Sequence, residues 1–171
     1  RNYGEIQQVG ASHDALTQQG GGDGSADGRM YSVIVQNGRN NSAENRQGES
    51  DASVILQDSR RNGAYVDQEA LTGVTNRTSY VEQGLVSGND NLALVGQRAS
   101  RTESSIIQGG FTGGDATLAQ VVQQVGSDGS ISEIDQDYDE NEAYVTQSGL
   151  DNYSGVSQGY TGGLSVAGGG P

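Results

Sequence analysis

The stretch that decides the fold is "SVIVQNGRNNSAENRQ", Ser32–Gln47. It is mostly polar, yet it contains two five-residue patterns that end in Gln: Ser-x-Ile-x-Gln at 32–36 and Ala-x-x-x-Gln at 43–47. Side chains of an extended strand alternate between two faces with a period of two. The stretch therefore predicts two short strands, each with Gln on the same face as a small residue, joined by a turn.

Both patterns recur along the chain. The first is found at 4–8 (with Gly in place of Ser), 32–36, 53–57, 79–83, 104–108, 132–136 and 154–158. Its middle residue is Ile or Val in every copy. The second follows the first six copies, at 15–19, 43–47, 64–68, 93–97, 119–123 and 143–147. After the last copy this half has decayed into "GGLSVAGGGP".

A turn rich in Gly, Asn and Asp separates the two halves of each unit. The position before the second strand is occupied by Asn41, Asn62, Asn91 and Asn141, and by His13 and Thr117 in the other two units. The repeating unit is therefore strand, turn, strand, turn.

We expect one repeat domain, 1–171, that folds as an all-β β-solenoid, because short strands persist only when stacked copies share an interior. The repeats are approximately 2–19, 30–47, 51–68, 77–97, 102–123, 130–147 and 152–169. Seven repeats stacked at ~4.8 Å each give a body of ~34 Å. Longer steps between repeats fall in turns, where added length costs little.

The repeated amides are predicted to form ladders along the solenoid axis, since stacked Gln or Asn side chains hydrogen-bond from one layer to the next. The predicted ladder residues are Gln8, Gln19, Gln36, Asn41, Gln47, Gln57, Asn62, Gln68, Gln83, Asn91, Gln97, Gln108, Gln123, Gln136, Asn141, Gln147 and Gln158.

Composition limits the possible functions. Only 32% of the residues are hydrophobic, there is no Cys, and the net charge is −13 with nine basic residues, all of them Arg. We therefore expect neither nucleic acid nor an anionic membrane as a partner, because both need a positive surface. No apolar run is long enough to span a membrane. The chain begins at Arg1 without Met or an apolar signal region, and we expect a processed mature protein.

Gln36, Asn41 and Gln47 have the Gln-x4-Asn-x5-Gln spacing of the curlin repeat, as do the triplets that begin at Gln57 and Gln136. The sequence therefore resembles the curlins, the subunits of curli fibres, over nearly its whole length. The resemblance implies a secreted bacterial subunit that assembles end to end into extracellular cross-β fibres for biofilm cohesion and surface adhesion. It also implies a nucleator subunit and an outer-membrane secretion channel as partners.

The residues independently favour self-assembly. The end strands of a solenoid expose unpaired backbone groups unless Lys, Pro or a covering element blocks them. The chain has no Lys, and its one Pro, Pro171, lies after the repeats. We therefore expect an open-ended homopolymer, with Gly168–Pro171 as an alternative cap. An outward apolar stripe predicts either a lateral contact between filaments or a covering loop: Val33, Val35, Val54, Leu56 and Ile107.

Other candidate sites are weaker. Asp135, Asp137, Asp139 and Asn141 resemble half of a calcium loop but lack its Gly and Glu, and "GGDGSAD" at 21–27 is not repeated. The one His, His13, occupies an Asn position in a turn. Without a Cys nucleophile or a Gly-x-Ser-x-Gly elbow, we predict no enzyme, catalytic residue, cofactor or dedicated metal. Tyr65 and Tyr144 are expected to decorate the surface.

The leading functional hypothesis is a structural fibre subunit. The alternative is a monomeric or cell-anchored β-solenoid adhesin or calcium-binding repeat module, which would need a cap, an anchor or regular Asp-bearing turns. Ice binding is a third class, but it needs a flat outward Thr array, and the outward positions are mixed.

Overall fold

The computed structural model describes residues 2–20, 29–48, 50–68, 75–84, 89–109, 116–137 and 139–159, and the backbone of residues 164–166. Within these ranges every regular element is a strand, as an all-β fold predicts. In chain order the strands are β1 (Tyr3–Ala11), β2 (Asp14–Gln19), β3 (Tyr31–Arg39), β4 (Ser42–Gln47), β5 (Ala52–Gln57), β6 (Gly63–Gln68), β7 (Thr78–Gln83), β8 (Leu92–Gln97), β9 (Glu103–Gln108), β10 (Leu118–Gln123), β11 (Ile131–Gln136), β12 (Glu142–Gln147), β13 (Tyr153–Gln158) and β14 (Leu164–Val166). No helix in these ranges is long and apolar enough to cross a membrane.

From β1 to β13, consecutive strands alternate between two sheets. The first sheet has the order β1-β3-β5-β7-β9-β11-β13-β14, and the second has the order β12-β10-β8-β6-β4-β2. Neighbouring strands are parallel except for the β13–β14 pair, which is antiparallel. The predicted β-solenoid is confirmed.

The parallel strands pair without any shift, so equivalent residues stack. Ser32 lies beside Ser53, Ile34 beside Ile55 and Gln36 beside Gln57. The same correspondence continues through each sheet because a slip of one residue would turn the whole buried set outward.

A narrow core lies between the sheets. Each six-residue strand of the inner turns alternates buried and half-buried or exposed residues, as period-two alternation predicts. In the four layers from β5 to β12, each strand buries one Ile or Val and each second-sheet strand also buries one Ala, and these residues belong to a single cluster. The remaining interior positions are Ser and Gln, so the core depends on hydrogen bonding as much as on apolar contact.

Left-handed backbone makes both corners. The first corner, which leads from the first sheet to the second, places Ser12, Asn40, Arg61, Asp90, Ala116 and Glu140 at φ of 56–61°. At the second corner, Ser50, Asn76, Arg101 and Asp151 have φ of 52–62°. This conformation is disfavoured for residues other than Gly, Asn and Asp. It is held in place by backbone bonds between layers, such as Asn40 N–H to the Ala11 carbonyl at 3.0 Å.

Glycine is required where β1 and β3 extend into the first corner. Gly10 and Gly38 have φ of 130° and 99°. A Cβ at either position would lie 1.9 Å from a carbonyl oxygen of the next layer. Only Gly permits this close approach of backbone to backbone.

The two sheets are staggered along the axis. The Ser32 hydroxyl on β3 lies 3.1 Å from Thr17 Oγ1 on β2 and accepts a hydrogen bond from Asn45 on β4 at 2.6 Å. Ser132 on β11 likewise contacts Gln123 on β10 and Gln147 on β12. Each first-sheet strand therefore lies between two second-sheet strands, an offset of about half a strand spacing. As a result β1 is outermost at one end and β13 extends beyond β12 at the other.

The two ends of the solenoid differ. At the initial end, formed by β1 and β2, Ile6 is 46% exposed, whereas Ile34 and Ile55 in the same stack are completely buried. At the terminal end, formed by β12 and β13, β14 pairs with residues 155–157 of β13. No described strand pairs with the outer edge of β12. The second part of the last predicted repeat, 152–169, thus returns to the first sheet, because its chain reverses direction beside β13.

Candidate functional site

The first amide column runs the length of the first sheet. The side-chain Nε2 of each Gln donates to Oε1 of the next, at 2.7–3.0 Å, in the order Gln8, Gln36, Gln57, Gln83, Gln108, Gln136 and Gln158. Every step points the same way. The structure thus brings together all seven of these predicted ladder residues.

The second amide column runs along the second sheet. Its donors and acceptors follow the order Gln19, Gln47, Gln68, Gln97, Gln123 and Gln147, at 2.8–3.3 Å. The direction is the same as in the first column. The two columns lie at opposite edges of the core, since each strand ends in Gln and the chain reverses between sheets.

The amides that follow Gln8 also bond across the core. Gln36 Nε2 donates to the Asp14 carbonyl at 3.0 Å, and Gln47 Nε2 donates to the Tyr31 carbonyl at 2.7 Å. A buried primary amide needs two acceptors and at least one donor to avoid a desolvation penalty of ~1–3 kcal/mol per unpaired group. The inner Gln residues of both columns meet that requirement, so they join adjacent layers and both sheets.

A third column lies at the first corner. Asn41 Oδ1 accepts from the Asn62 backbone N–H, and Asn62 Oδ1 accepts from that of Asn91, each at 3.1 Å. Asn91 Oδ1 accepts from both the backbone and the hydroxyl of Thr117. The Asn41 side-chain amide also donates to the carbonyl of Asn37, four residues earlier in the chain, at 2.8 Å.

The remaining members of this corner position keep part of the same pattern. The Asn141 amide donates to the Asp137 carbonyl, which is also four residues earlier. His13 Nε2 lies 3.1 Å from the Val9 carbonyl, the equivalent acceptor in the first layer. His13 therefore replaces Asn in a turn, and its contact has no catalytic partner among the residues described.

A buried ion pair at the second corner has no counterpart in the predictions. Arg77 and Asp51 are both fully buried. Arg77 makes two hydrogen bonds to the Asp51 carboxylate, at 3.0 and 2.5 Å, and donates to the carbonyls of Gln97 and Gln68. Burial raises the pKa of Asp51, while the hydrogen bonds and charge of Arg77 oppose the rise. The pair and its hydrogen bonds therefore join the β5–β6 layer to the β7–β8 layer at the second corner.

The ends of the first column are chemically different. At the initial end, no described residue donates to Gln8 Oε1. At the terminal end, Gln158 Nε2 donates to the Glu142 carbonyl at 2.8 Å and to no further amide in the described part of the chain. One end of the molecule therefore presents an amide acceptor, and the other presents an amide donor.

The predicted outer stripe lies on the outward face of the first sheet. Its five side chains are half-buried, because neighbours on the same sheet face cover part of each one: Val33, Val35, Val54, Leu56 and Ile107. Beside Ile107 this face has a shallow hollow. It is lined by Ser105 and Ser157, which have small side chains, and by Gly155, which has none. Whether a filament or a loop covers the stripe stays a prediction.

The acidic turn does not form a metal-ligating cluster among the described residues, where no group of three or more His, Asp or Glu side chains converges. The Asp135 carboxyl is partly buried on the outer face, and both burial and the nearby charge of Asp137 raise its pKa. The "GGDGSAD" segment at 21–27 and Gly168–Pro171 lie outside the described residues. Of the two outward tyrosines, Tyr65 packs against the Arg46 guanidinium at 5.6 Å, and Tyr144 is exposed.

Comparisons with protein-family models, curated proteins and solved structures found no match. The resemblance to the curlins therefore rests on the Gln-Asn-Gln spacing. The prediction that the chain is not an enzyme stays a prediction.

Proposed function

We propose that the protein is a secreted structural subunit with seven curlin-like repeats that polymerises end to end into extracellular amyloid fibres. These fibres would give a biofilm matrix cohesion and attach it to surfaces. A nucleator subunit and an outer-membrane secretion channel are further partners that this proposal includes.

The chemical difference between the two ends carries the proposal. Among the described residues, Gln8 Oε1 has no donor and Gln158 Nε2 has one acceptor. A bond from Gln158 to Gln8 of a second copy would therefore repeat the donor and acceptor arrangement of every internal step in the column. A second copy placed beyond β13 in the same orientation would continue the hydrogen-bonded column. A contact of this head-to-tail kind does not close on itself, so it propagates.

Apolar burial favours the same contact. Ile6 is half-exposed at the initial end but occupies the stack in which Ile34, Ile55 and Ile106 are fully buried. Burying the rest of Ile6 contributes about 1 kcal/mol, since full burial of such a side chain contributes ~1.5–3 kcal/mol. The outer backbone edges of β1 and β2, which pair with no described strand, would add hydrogen bonds to this gain.

The test uses two single variants of β1 with the same change in charge. In Ile6→Lys, an ammonium group replaces the apolar side chain at the contact, and we expect a folded monomer that does not elongate. In Gln7→Lys, the same group lies on the outer face of the sheet, and we expect fibres. Electron microscopy and thioflavin fluorescence measure assembly, and circular dichroism verifies the fold.

Fibres of Ile6→Lys that grow as fast as those of Gln7→Lys would contradict the proposal. So would a wild-type chain that stays monomeric at high concentration over days.

The alternative is a monomeric or cell-anchored β-solenoid adhesin or calcium-binding module. The observation that favours it is β14, which covers part of the β13 edge. Sedimentation of the full chain with and without calcium separates the two functions, because only the alternative leaves a stable monomer under both conditions.

A further inference from the structure

The short strand β14 is the exception in the fold. It pairs antiparallel with β13, with residues 164, 165 and 166 opposite 157, 156 and 155, whereas every other described pair is parallel. It is three residues long, against six for its partner β13. It occupies the edge on which β1 of a second copy would have to stack.

The chain length before β14 matches a different position. Five residues separate Gln36 from β4, Gln57 from β6 and Gln136 from β12. Five residues, 159–163, also separate Gln158 from Leu164. The connection before Leu164 therefore has the same length as the connections that lead from the first sheet to the second.

The sequence after Gly163 also fits the second sheet. "LSVAGG" at 164–169 aligns with "LALVGQ" of β8, with the same first and fifth residues and a small residue at the second position. Ala replaces the β-branched residue and Gly replaces the Gln. In the second-sheet position, Ala and Gly would contribute less apolar burial than Val and Gln and no amide bond, so that position would be only weakly favoured in a single molecule.

The stagger of the sheets makes that position necessary in a polymer. A first-sheet strand is normally separated from the next by one second-sheet strand at intermediate height. If β1 of a second copy stacks on β13, one second-sheet strand is missing between β12 and the incoming β2. The outer edge of β12 has no partner among the described residues.

We propose that the segment beginning at Leu164 is a displaceable strand that controls growth at the terminal end. In the free molecule it covers β13 as β14. When a second copy adds, the segment moves to the outer edge of β12, supplies the missing second-sheet strand and frees β13 for the incoming β1. This inference rests on the proposed end-to-end assembly and adds its regulation.

Engineered disulfides in the full chain test the exchange, because the protein contains no Cys. Ser157→Cys/Leu164→Cys joins directly opposite residues of β13 and β14, whose Cα separation in an antiparallel pair suits a disulfide. We expect the oxidised form to lose growth at the terminal end and reduction to restore it. The matched control is Asp135→Cys/Ser157→Cys, which joins two neighbouring strands that stay paired. Its oxidised and reduced forms are expected to elongate alike.

A second variant reports the new position directly. Glu142→Cys/Leu164→Cys would join the first residues of β12 and of the relocated strand. We expect an intramolecular disulfide in oxidised fibres and not in fresh monomer, measured by mass spectrometry after the fibres are dissolved.

Oxidised Ser157→Cys/Leu164→Cys protein that elongates as fast as its reduced form would overturn the exchange and leave end-to-end assembly intact. The same holds if the disulfide of Glu142→Cys/Leu164→Cys does not appear in fibres. If the unmodified chain forms no fibres at all, the proposed function fails, and the exchange fails with it.

Discussion

Replacing one Gln in the middle of an amide column should destabilise the fold far more than the same change on the surface. Gln83 is fully buried on β7, accepts a hydrogen bond from Gln57 at 2.8 Å, and donates to Gln108 and to the Gly63 carbonyl, each at 2.9 Å. In Gln83→Leu the side chain is of similar size, so no large cavity forms. The change leaves one N–H of Gln57 and one oxygen of Gln108 without partners in the core.

Each of these two unpaired groups costs ~1–3 kcal/mol, so we expect the free energy of unfolding to fall by ~2–6 kcal/mol. That is a large part of the ~5–15 kcal/mol that a domain usually has. The matched control is Gln120→Leu, the same substitution at a half-buried, outward position of β10, for which we expect a change within ~0.5 kcal/mol.

Urea unfolding followed by circular dichroism measures both variants. Carrying the Ile6→Lys substitution in both proteins keeps them monomeric, and the two sites are far enough from β1 for their effects to add. If Gln83→Leu lost no more stability than Gln120→Leu, the amide columns would not hold the layers together, and the reasoning would be refuted.

Three further predictions concern the corners and the charge. Arg77→Met leaves a carboxylate buried without its cationic partner and should lower the free energy of unfolding by ~3–5 kcal/mol in urea titrations. Arg61→Met breaks an ion pair that is exposed and should change the free energy of unfolding much less. Gly38→Ala places a Cβ 1.9 Å from a carbonyl and should lower the melting temperature sharply in calorimetry, while Gly96→Ala, with nothing within 4 Å, should not. Acid should shorten the lag before thioflavin fluorescence rises, because copies with a net charge of −13 repel one another. The pKa of Asp135 is raised, so this carboxyl gains its proton at a higher pH than an ordinary Asp. Assembly kinetics insensitive to both pH and calcium would contradict this prediction.

The amide columns could be predicted from the sequence because both causes are local. Period-two alternation decides which residues face inward, and the constant spacing of Ser, Ile and Gln aligns them between layers. The position of the column at the first corner could also be predicted. His13 and Thr117 occur in the sequence where other units have Asn, and the structure places them at that position.

The buried ion pair of Arg77 and Asp51 could not be predicted from the sequence, for two reasons. The two residues lie 26 positions apart, and the position just before each first-sheet strand is occupied by Asn, Met, Asp, Arg, Thr, Ser and Asn in the successive layers. No repeat pattern marks it. The left-handed conformation of Arg61 and Glu140 was equally hidden, because it follows from the closure of each turn and not from the residue itself.

In the exchange that we propose, the direction of β14 depends on competition between two weak pairings. Its residues alternate too little, and the Gln that would hold it beside Gln147 is replaced by Gly169. The stagger between sheets comes from the rise of the chain at each corner, which alternation within a strand does not encode. Residue pattern alone therefore leaves the terminal end undetermined.

All the side-chain amide bonds in the two columns point the same way along the axis, so the molecule is polar from one end to the other. From Gln8 to Gln158 each carboxamide dipole adds to the one before it, and the second column adds in the same sense. A copy that arrived upside down would set oxygen against oxygen at one tip and N–H against N–H at the other. The side chains therefore disfavour an inverted neighbour, and the two ends of a fibre assembled from such copies would elongate at different rates.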